Sequence, residues 1–313
     1  MPRAITAATI VASVLASGAL GPVDRIRTGP RAPRHAAEAG YTREAFDEEF
    51  TDATHIDMGD DVSPGFNWYA CRKWSPASNV SVHVSNGRLT LLGGHLYSGC
   101  QTGNPAEFVG HEFSGGAYFE AAIGFDPATV NADDRQWPSW WSMSREHFMN
   151  AGDGWTGQAP DFRHFIEYDF FEFDVWRFAG PHAYGAAIHD WFGRWNGTRF
   201  QEANNAGIGS KYDNFVVSTK ADFRKVHRFG ALWVPATDTR AGYAQAYFDD
   251  QPTSARVDWT NLDSAAAPPP GAAAWTFGVI DRHHLVMILS TSSNAPLTVD
   301  WVRVWQAPIK SPA

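Results

Sequence analysis

Short apolar or alternating runs recur along most of the chain, separated by gaps rich in Gly, Asn, Asp and Pro. Runs of this length with turn residues between them are typical of β-strands, and their density favours a sandwich of two sheets. Sustained helical periodicity is weak. The pattern therefore predicts an all-β fold, with strands over residues 88–92, 117–125, 139–143, 164–176, 183–191, 227–234, 243–248, 284–290 and 297–305.

One predicted strand is unusually acidic. Residues 165–176 read FIEYDFFEFDVW. Side chains alternate between the two faces of a strand, so Ile166, Tyr168 and Phe170 form an apolar face. Glu167 and Asp169 point the other way.

The alternation slips by one position after Phe170. Glu172 and Asp174 lie on the same face as Glu167 and Asp169 only if one extra residue is absorbed as a β-bulge. The simplest choice for that residue is Phe171. With the bulge, all four carboxylates share one face.

Four like charges along one strand face destabilise it, so a function for them is expected. Glycoside hydrolysis needs two carboxyl groups at a fixed separation, one ionised and one protonated. A short Asp between two longer Glu residues would hold both in place and separate their pKa values. Two other interpretations remain open at this stage: the acidic solvent face of an edge strand, and a calcium site.

The sequence EYDFFE at residues 167–172 matches the E-x-D-x-x-E signature of glycoside hydrolase family 16, in the bulged form found in its laminarinase-like and agarase- or carrageenase-like branches. Further segments resemble that family in the same order over about residues 44–307. They are FDEEF at 46–50, GGAYFEAAI at 115–123, WPSWWSM at 137–143, VHRFGALWVP at 226–235 and VDWVRVWQ at 299–306.

The resemblance implies a concanavalin A-like fold, a β-jelly-roll sandwich of two curved antiparallel sheets. It also implies a retaining endo-glycosidase that works by double displacement, with Glu167 as nucleophile and Glu172 as general acid and base. Asp169 would orient Glu167 and keep Glu172 protonated. The bulged motif favours a β-1,3-glucan as substrate. Tyr168 and WPSWW depart from the usual motifs, which leaves other β-glucans and galactans open.

Four more residues are predicted to bind substrate. His189 lies one hairpin beyond the acidic strand, where the resemblance places a similar histidine; a structural histidine is the alternative. Trp137, Trp141 and Trp191 are predicted to stack on sugar rings, and the alternative for each is a place in the core.

Composition narrows the range of partners. The chain has 14 Trp, 9 Tyr and 21 Phe among 313 residues, which suits a ligand with flat apolar faces such as a polysaccharide. A net charge of −9 argues against nucleic acid. We expect a monomer that requires no cofactor, although a structural calcium ion is compatible with the resemblance. The competing hypothesis is a non-catalytic carbohydrate-binding or lectin-like sandwich whose acidic cluster binds calcium.

The ends of the chain predict export. Residues 1–18 contain a basic residue near the start, then an apolar stretch and then small residues before the expected cleavage site, as in a signal peptide. We expect a linker or disordered tail over 19–43, the catalytic domain over 44–307 and a tail over 308–313. No other apolar segment is long enough to span a membrane, so a secreted or periplasmic protein is predicted.

The chain has only two cysteines, Cys71 and Cys100. In an exported protein such a pair predicts a disulfide, and closing this loop would contribute roughly 3 kcal/mol. The alternative is two unrelated buried thiols.

Overall fold

The computed structural model describes residues 31–59, 62–71, 79–130, 136–155, 158–174, 179–196, 208–253, 256–260 and 277–309. Within these ranges the chain forms two short α-helices, α1 (Arg34–Glu38) and α2 (Arg145–Phe148), and eighteen strands. The strands are β1 (Arg43–Glu48), β2 (Ile56–Asp57), β3 (Trp68–Tyr69), β4 (Ser81–Ser85), β5 (Arg88–Tyr97), β6 (Gly99–Gln101), β7 (Phe108–Gly110), β8 (Ala117–Phe125), β9 (Ser139–Ser144), β10 (Phe162–Glu172), β11 (Ala183–Arg194), β12 (Ile208–Ser218), β13 (His227–Val234), β14 (Gly242–Phe248), β15 (Gln251–Pro252), β16 (Val257–Trp259), β17 (Leu285–Thr291) and β18 (Leu297–Gln306).

The strands form two layers that share β5. One layer has the strand order β5-β18-β8-β13-β14. In the same layer β1 pairs with β18, β4 pairs with β5, and β15 and β16 pair with β14. The other runs β3-β5-β17-β9-β10-β11-β12. All these pairs are antiparallel, and the short β2–β3 pair is parallel. The predicted all-β, jelly-roll sandwich is confirmed.

The strand β5 passes from one layer to the other at Gly93 and Gly94, whose φ angles are 150° and 84°. These angles lie in the region that residues with a Cβ rarely adopt. At Gly94 a Cβ would also lie 3.0 Å from the carbonyl oxygen of Asn79. The bend therefore depends on glycine.

Aromatic rings fill the space between the layers. Phe170 of β10 stacks on Phe119 of β8 at 4.8 Å between ring centroids. Phe171 meets Phe229 of β13 at 4.3 Å. Burying each such side chain contributes about 1.5–3 kcal/mol, so the apolar face of β10 anchors the strand firmly in the sandwich.

The predicted bulge is present in β10. Its register shifts between Asp169 and Phe171 against β9, and between Asp169 and Glu172 against β11. The assignment of the extra residue was wrong, because Phe171 lies opposite Trp140 and the β9 pairing passes over Phe170. Both rings are buried in the core, so the bulge lets two successive side chains occupy the apolar face.

The predicted linker contains structure that its composition did not indicate. Within residues 19–43, α1 packs against the first layer, with Ala36 fully buried. The ring of His35 stacks on Tyr247 at 4.1 Å, and the Tyr41 hydroxyl donates to the carbonyl oxygen of Trp233 at 2.9 Å. The prediction of disorder was wrong for this part, since its partners lie about 200 residues away in sequence. The predicted signal peptide and residues 310–313 lie outside the described ranges.

Cys71 and Cys100, which are 29 positions apart in sequence, form the predicted disulfide. Both cysteines are buried beside Tyr97 and Phe148, which cover one end of the second layer. Among the described residues no helix has the length and apolar character needed to cross a membrane.

Candidate active site

The acidic face of β10 carries the predicted catalytic residues. Glu167, Asp169 and Glu172 alternate with the core residues Tyr168 and Phe170, and the bulge keeps Glu172 in phase with the other two acids. Glu167 and Glu172 are partly exposed, whereas Asp169 is fully buried between them. The strand ends at Glu172, four residues earlier than predicted.

Glu167 is held by two side chains of the neighbouring strand β11. The indole nitrogen of Trp191 donates a hydrogen bond to Glu167 Oε2 at 2.9 Å. His189 lies directly opposite Glu167 in the β10–β11 pairing. Burial raises the pKa of Glu167, whereas His189 and the Trp191 hydrogen bond oppose that rise. Both contacts therefore favour the ionised carboxylate.

Asp169 faces the same histidine. Its Oδ2 atom lies 2.9 Å from Nε2 of His189. Burial raises the pKa of Asp169 well above its usual range, and the charges of Glu167 and Asp174 raise it further. Asp174 thus contributes its charge from the turn that follows β10, although it lies outside the strand.

Glu172 accepts a hydrogen bond at Oε1 from the indole nitrogen of Trp137 at 3.0 Å. Burial raises the pKa of Glu172 well above its usual range, and so do the charges of Asp169, Asp174 and Glu167, in that order. The Trp137 hydrogen bond acts in the opposite direction. The surroundings of Glu172 therefore favour the protonated form of this partly exposed carboxyl group, as a general acid requires.

The predicted tryptophans all lie at this site and are partly exposed. Trp191 stacks on His189 with 5.6 Å between ring centroids and 16° between planes. Trp141 of β9 lies opposite Asp169 in the strand pairing. Trp140, its neighbour in sequence, is fully buried. All three tryptophans also pack against the core, so their role in substrate binding stays a prediction.

A polar chain beside Trp141 was not predicted. The indole nitrogen of Trp141 donates to Ser290 Oγ at 2.9 Å, and His95 Nδ1 lies 2.6 Å from the same oxygen. The amide of Gln136 lies 2.8 Å from His95 Nε2. Burial lowers the pKa of His95 to about 4, so the ring is neutral. A predicted strand over the whole of β5 would have included His95. No local sequence pattern, however, indicates that His95 pairs with a serine 195 residues away.

Asp169, Glu172 and His189 also form a compact donor set. Each offers one ligand atom, and the three atoms lie within 4.8 Å of one another. The structural calcium ion that is compatible with the resemblance stays a prediction. In the lectin-like hypothesis the acidic cluster would bind that ion.

Comparison with known proteins gives the following matches. No family model and no curated protein matches the chain. Among solved structures, an endo-1,3-beta-glucanase from Streptomyces sioyaensis has 16% identity over 90% of this chain and 100% of that one, with a TM-score of 0.47. A glycoside hydrolase family 16 endo-glucanase from Bacteroides ovatus has 13% identity over 83% and 99%, with a TM-score of 0.42. LamAcat from Zobellia galactanivorans has 13% identity over 85% and 98%, with a TM-score of 0.44.

The chain is an antiparallel β-sandwich with a bulged acidic strand. Its motifs resemble those of glycoside hydrolase family 16.

Proposed function

We propose that this protein is a retaining endo-glycosidase that hydrolyses a β-linked polysaccharide. The observation that carries the proposal is the placement of three carboxyl groups on one face of a bulged strand, the outer two each bound by a tryptophan indole. A plain acidic surface would not bury Asp169 between two partly exposed Glu residues and bond both of those to aromatic side chains.

The two Glu residues have different roles. Glu172, whose pKa is raised by burial and three acidic neighbours, donates its proton to the glycosidic oxygen as that bond breaks. Glu167, whose ionised form is favoured by Trp191 and His189, attacks the anomeric carbon and forms a covalent glycosyl-enzyme. Glu172, now ionised, takes a proton from a water molecule, which attacks the same carbon and releases Glu167. Two inversions give net retention.

Asp169, which is buried between the two Glu residues, supports both steps. Its charge raises the pKa of Glu172, which keeps the acid protonated before the first step. Its contact with His189 fixes a ring that in turn acts on Glu167. Burying a carboxyl group costs folding free energy, and the effect of Asp169 on the pKa of Glu172 explains why it lies there.

The substrate that we propose is a β-1,3-glucan, acted on outside the cell. Trp137, Trp141 and Trp191 present partly exposed indoles near the carboxyl groups, as recognition of the apolar faces of sugar rings requires. The preference for β-1,3 linkages rests on the resemblance of the bulged motif to the laminarinase-like branch of glycoside hydrolase family 16. The disulfide suits an oxidising compartment.

A panel of polysaccharides tests this proposal. The protein should release reducing ends from laminarin or another β-1,3-glucan, and Glu172→Gln and Glu167→Gln should each lower that rate by several orders of magnitude. Glu107→Gln, which changes an exposed acid on the loop between β6 and β7, is the matched control and should keep normal activity. Binding without hydrolysis would favour the lectin-like alternative.

A further inference from the structure

A cavity of about 340 Å³ lies beside the bend of β5, apart from the three carboxyl groups. Its described lining residues are Asn79, Gly93, Gly94, Gln136 and Ser293. Small-molecule pockets in proteins measure roughly 300–1,000 Å³, so this cavity has room for a ligand of modest size. None of the five lining residues belongs to the carboxyl cluster or contacts it directly through a hydrogen bond given above.

One row of paired residues connects the cavity with the proposed general acid. Glu172 of β10 lies opposite Ser139 of β9, which lies opposite Ser290 of β17. Ser290 in turn lies opposite His95 of β5. Residues directly opposite each other in antiparallel strands share one face of the sheet, so the row follows the face that carries the carboxyl groups. The amide of Gln136 lies 2.8 Å from His95 Nε2, which brings the row to the edge of the cavity.

The length of this row exceeds one sugar residue. Adjacent strands lie about 4.8 Å apart, so the three strand spacings from β10 to β5 cover roughly 14 Å. A polysaccharide that crosses the strands from Glu172 would therefore reach the cavity with a sugar residue that takes no part in the chemistry. Contacts with such remote residues supply binding energy that an enzyme can use at the reacting centre.

The lining residues select an uncharged ligand. Asn79 and Gln136 each offer a carboxamide, and Ser293 offers a hydroxyl group. Gly93 and Gly94 have no side chains, so a ligand can approach the backbone closely there. Carboxamides and hydroxyls both donate and accept hydrogen bonds, as the hydroxyl groups of a neutral sugar require. The described lining contains neither a cationic side chain for a sulfate group nor a carboxylate for a metal ion.

His95 fixes the amide that lines the cavity. Its Nδ1 atom lies 2.6 Å from Ser290 Oγ, and the indole nitrogen of Trp141 donates to the same oxygen. Burial lowers the pKa of His95 to about 4, so the ring adds no charge beside the cavity. The contacts therefore link Trp141, which is predicted to stack on a sugar ring, with Gln136. A side chain that is already ordered loses less conformational freedom when a ligand binds.

We propose that this cavity is a distal subsite that binds an uncharged glucosyl residue of the polysaccharide, three strands away from the scissile bond. The proposal rests on the proposed function, because that function places the scissile bond at Glu172. The subsite favours long β-1,3-glucan chains over short ones and disfavours sulfated galactans.

Calorimetric titration with β-1,3-linked gluco-oligosaccharides tests the subsite in the full chain carrying Glu172→Gln, which does not consume the ligand. Ser293→Trp, added to this protein, should fill the cavity and weaken binding of the hexasaccharide about tenfold, as the loss of one or two hydrogen bonds implies. Ser114→Trp changes an exposed serine between β7 and β8 and is the matched control, which should leave the affinity unchanged. A sulfated carrageenan hexasaccharide should bind more weakly than the glucan hexasaccharide.

Equal affinity for the glucan hexasaccharide in the Ser293→Trp and Ser114→Trp proteins would overturn the proposal. So would equal or tighter binding of the carrageenan hexasaccharide, or no measurable binding of the glucan. If Ser293→Trp fails to fold, as judged by its thermal transition, Gln136→Ala takes its place with the same expectation. Since the titration needs no turnover, it separates the two proposals. A confirmed subsite in a protein whose wild type releases no reducing ends would refute only the proposed function.

Discussion

The indole nitrogen of Trp137 lies 3.0 Å from Oε1 of Glu172, at the end of β10 where the bulge has returned that carboxyl to the acidic face. This bond stabilises the ionised form of Glu172, against burial and three acidic neighbours that stabilise the protonated form. Because these effects oppose each other, Glu172 can hold the proton that the first step requires and can release it during the reaction. Trp191 makes the corresponding bond to Glu167.

Trp137→Phe tests this balance. The change keeps the ring and removes the donor, so the pKa of Glu172 should rise further. The general acid is active while protonated, so the basic limb of the pH–rate profile should move to higher pH. We expect kcat on a β-1,3-glucan to fall about tenfold, because the carboxyl also loses its orientation. An unmoved basic limb would show that the bond does not tune Glu172.

Asp169→Asn should move the same limb in the opposite direction. The charge of Asp169 raises the pKa of Glu172, and removing it should shift the basic limb to lower pH. The rate should fall less than in Glu167→Gln, because no bond-making group is lost. A pH–rate profile unchanged from that of the wild type would show that Asp169 has only a structural role.

The same variant should be more stable than the wild type at neutral pH. The pKa of Asp169 in the folded state is raised well above its unfolded value by burial. Its contribution to stability is therefore fully present below the unfolded pKa, near 4, and is lost as pH rises through the folded value. Asp169→Asn should raise the thermal midpoint at pH 7, and the difference should vanish near pH 3. A lower midpoint at pH 7 would contradict the account of Asp169 as a costly buried acid.

Deleting Phe170 tests the bulge. The remaining strand would pair without a register shift, which would turn Glu172 towards the core and Phe173 towards the acidic face. We expect misfolding or loss of the acid/base, measured by far-UV circular dichroism and by turnover. Phe171→Leu is the control, since it keeps the register and an apolar side chain; it should cost about 1–2 kcal/mol and retain activity. A folded deletion variant with normal activity would show that the bulge is dispensable.

The local sequence pattern predicted that the acids share one face and that the strand contains a bulge, because successive side chains of a strand alternate between its two faces. Glu167, Asp169 and Glu172 could therefore be placed together from the sequence. The identity of the extra residue could not, since both phenylalanines face the core and only the pairing with β9 distinguishes them. Ser290 and His95 were missed for a similar reason, because strands distant in sequence bring them together. The fold class was predictable from the spacing of strands, whereas the packing of α1 on Tyr247 was not.

Trapping of the glycosyl-enzyme tests the central claim most directly. A 2-deoxy-2-fluoro β-glucoside of a β-1,3-linked oligosaccharide with a good leaving group should react with the protein, and mass spectrometry of the digest should find one added glycosyl group on Glu167. Glu167→Gln should remain unlabelled, whereas Glu107→Gln should label like the wild type. A label on Glu172 or on another residue, or turnover of a β-1,3-glucan with inversion of configuration, would contradict the assignment of Glu167 as the nucleophile.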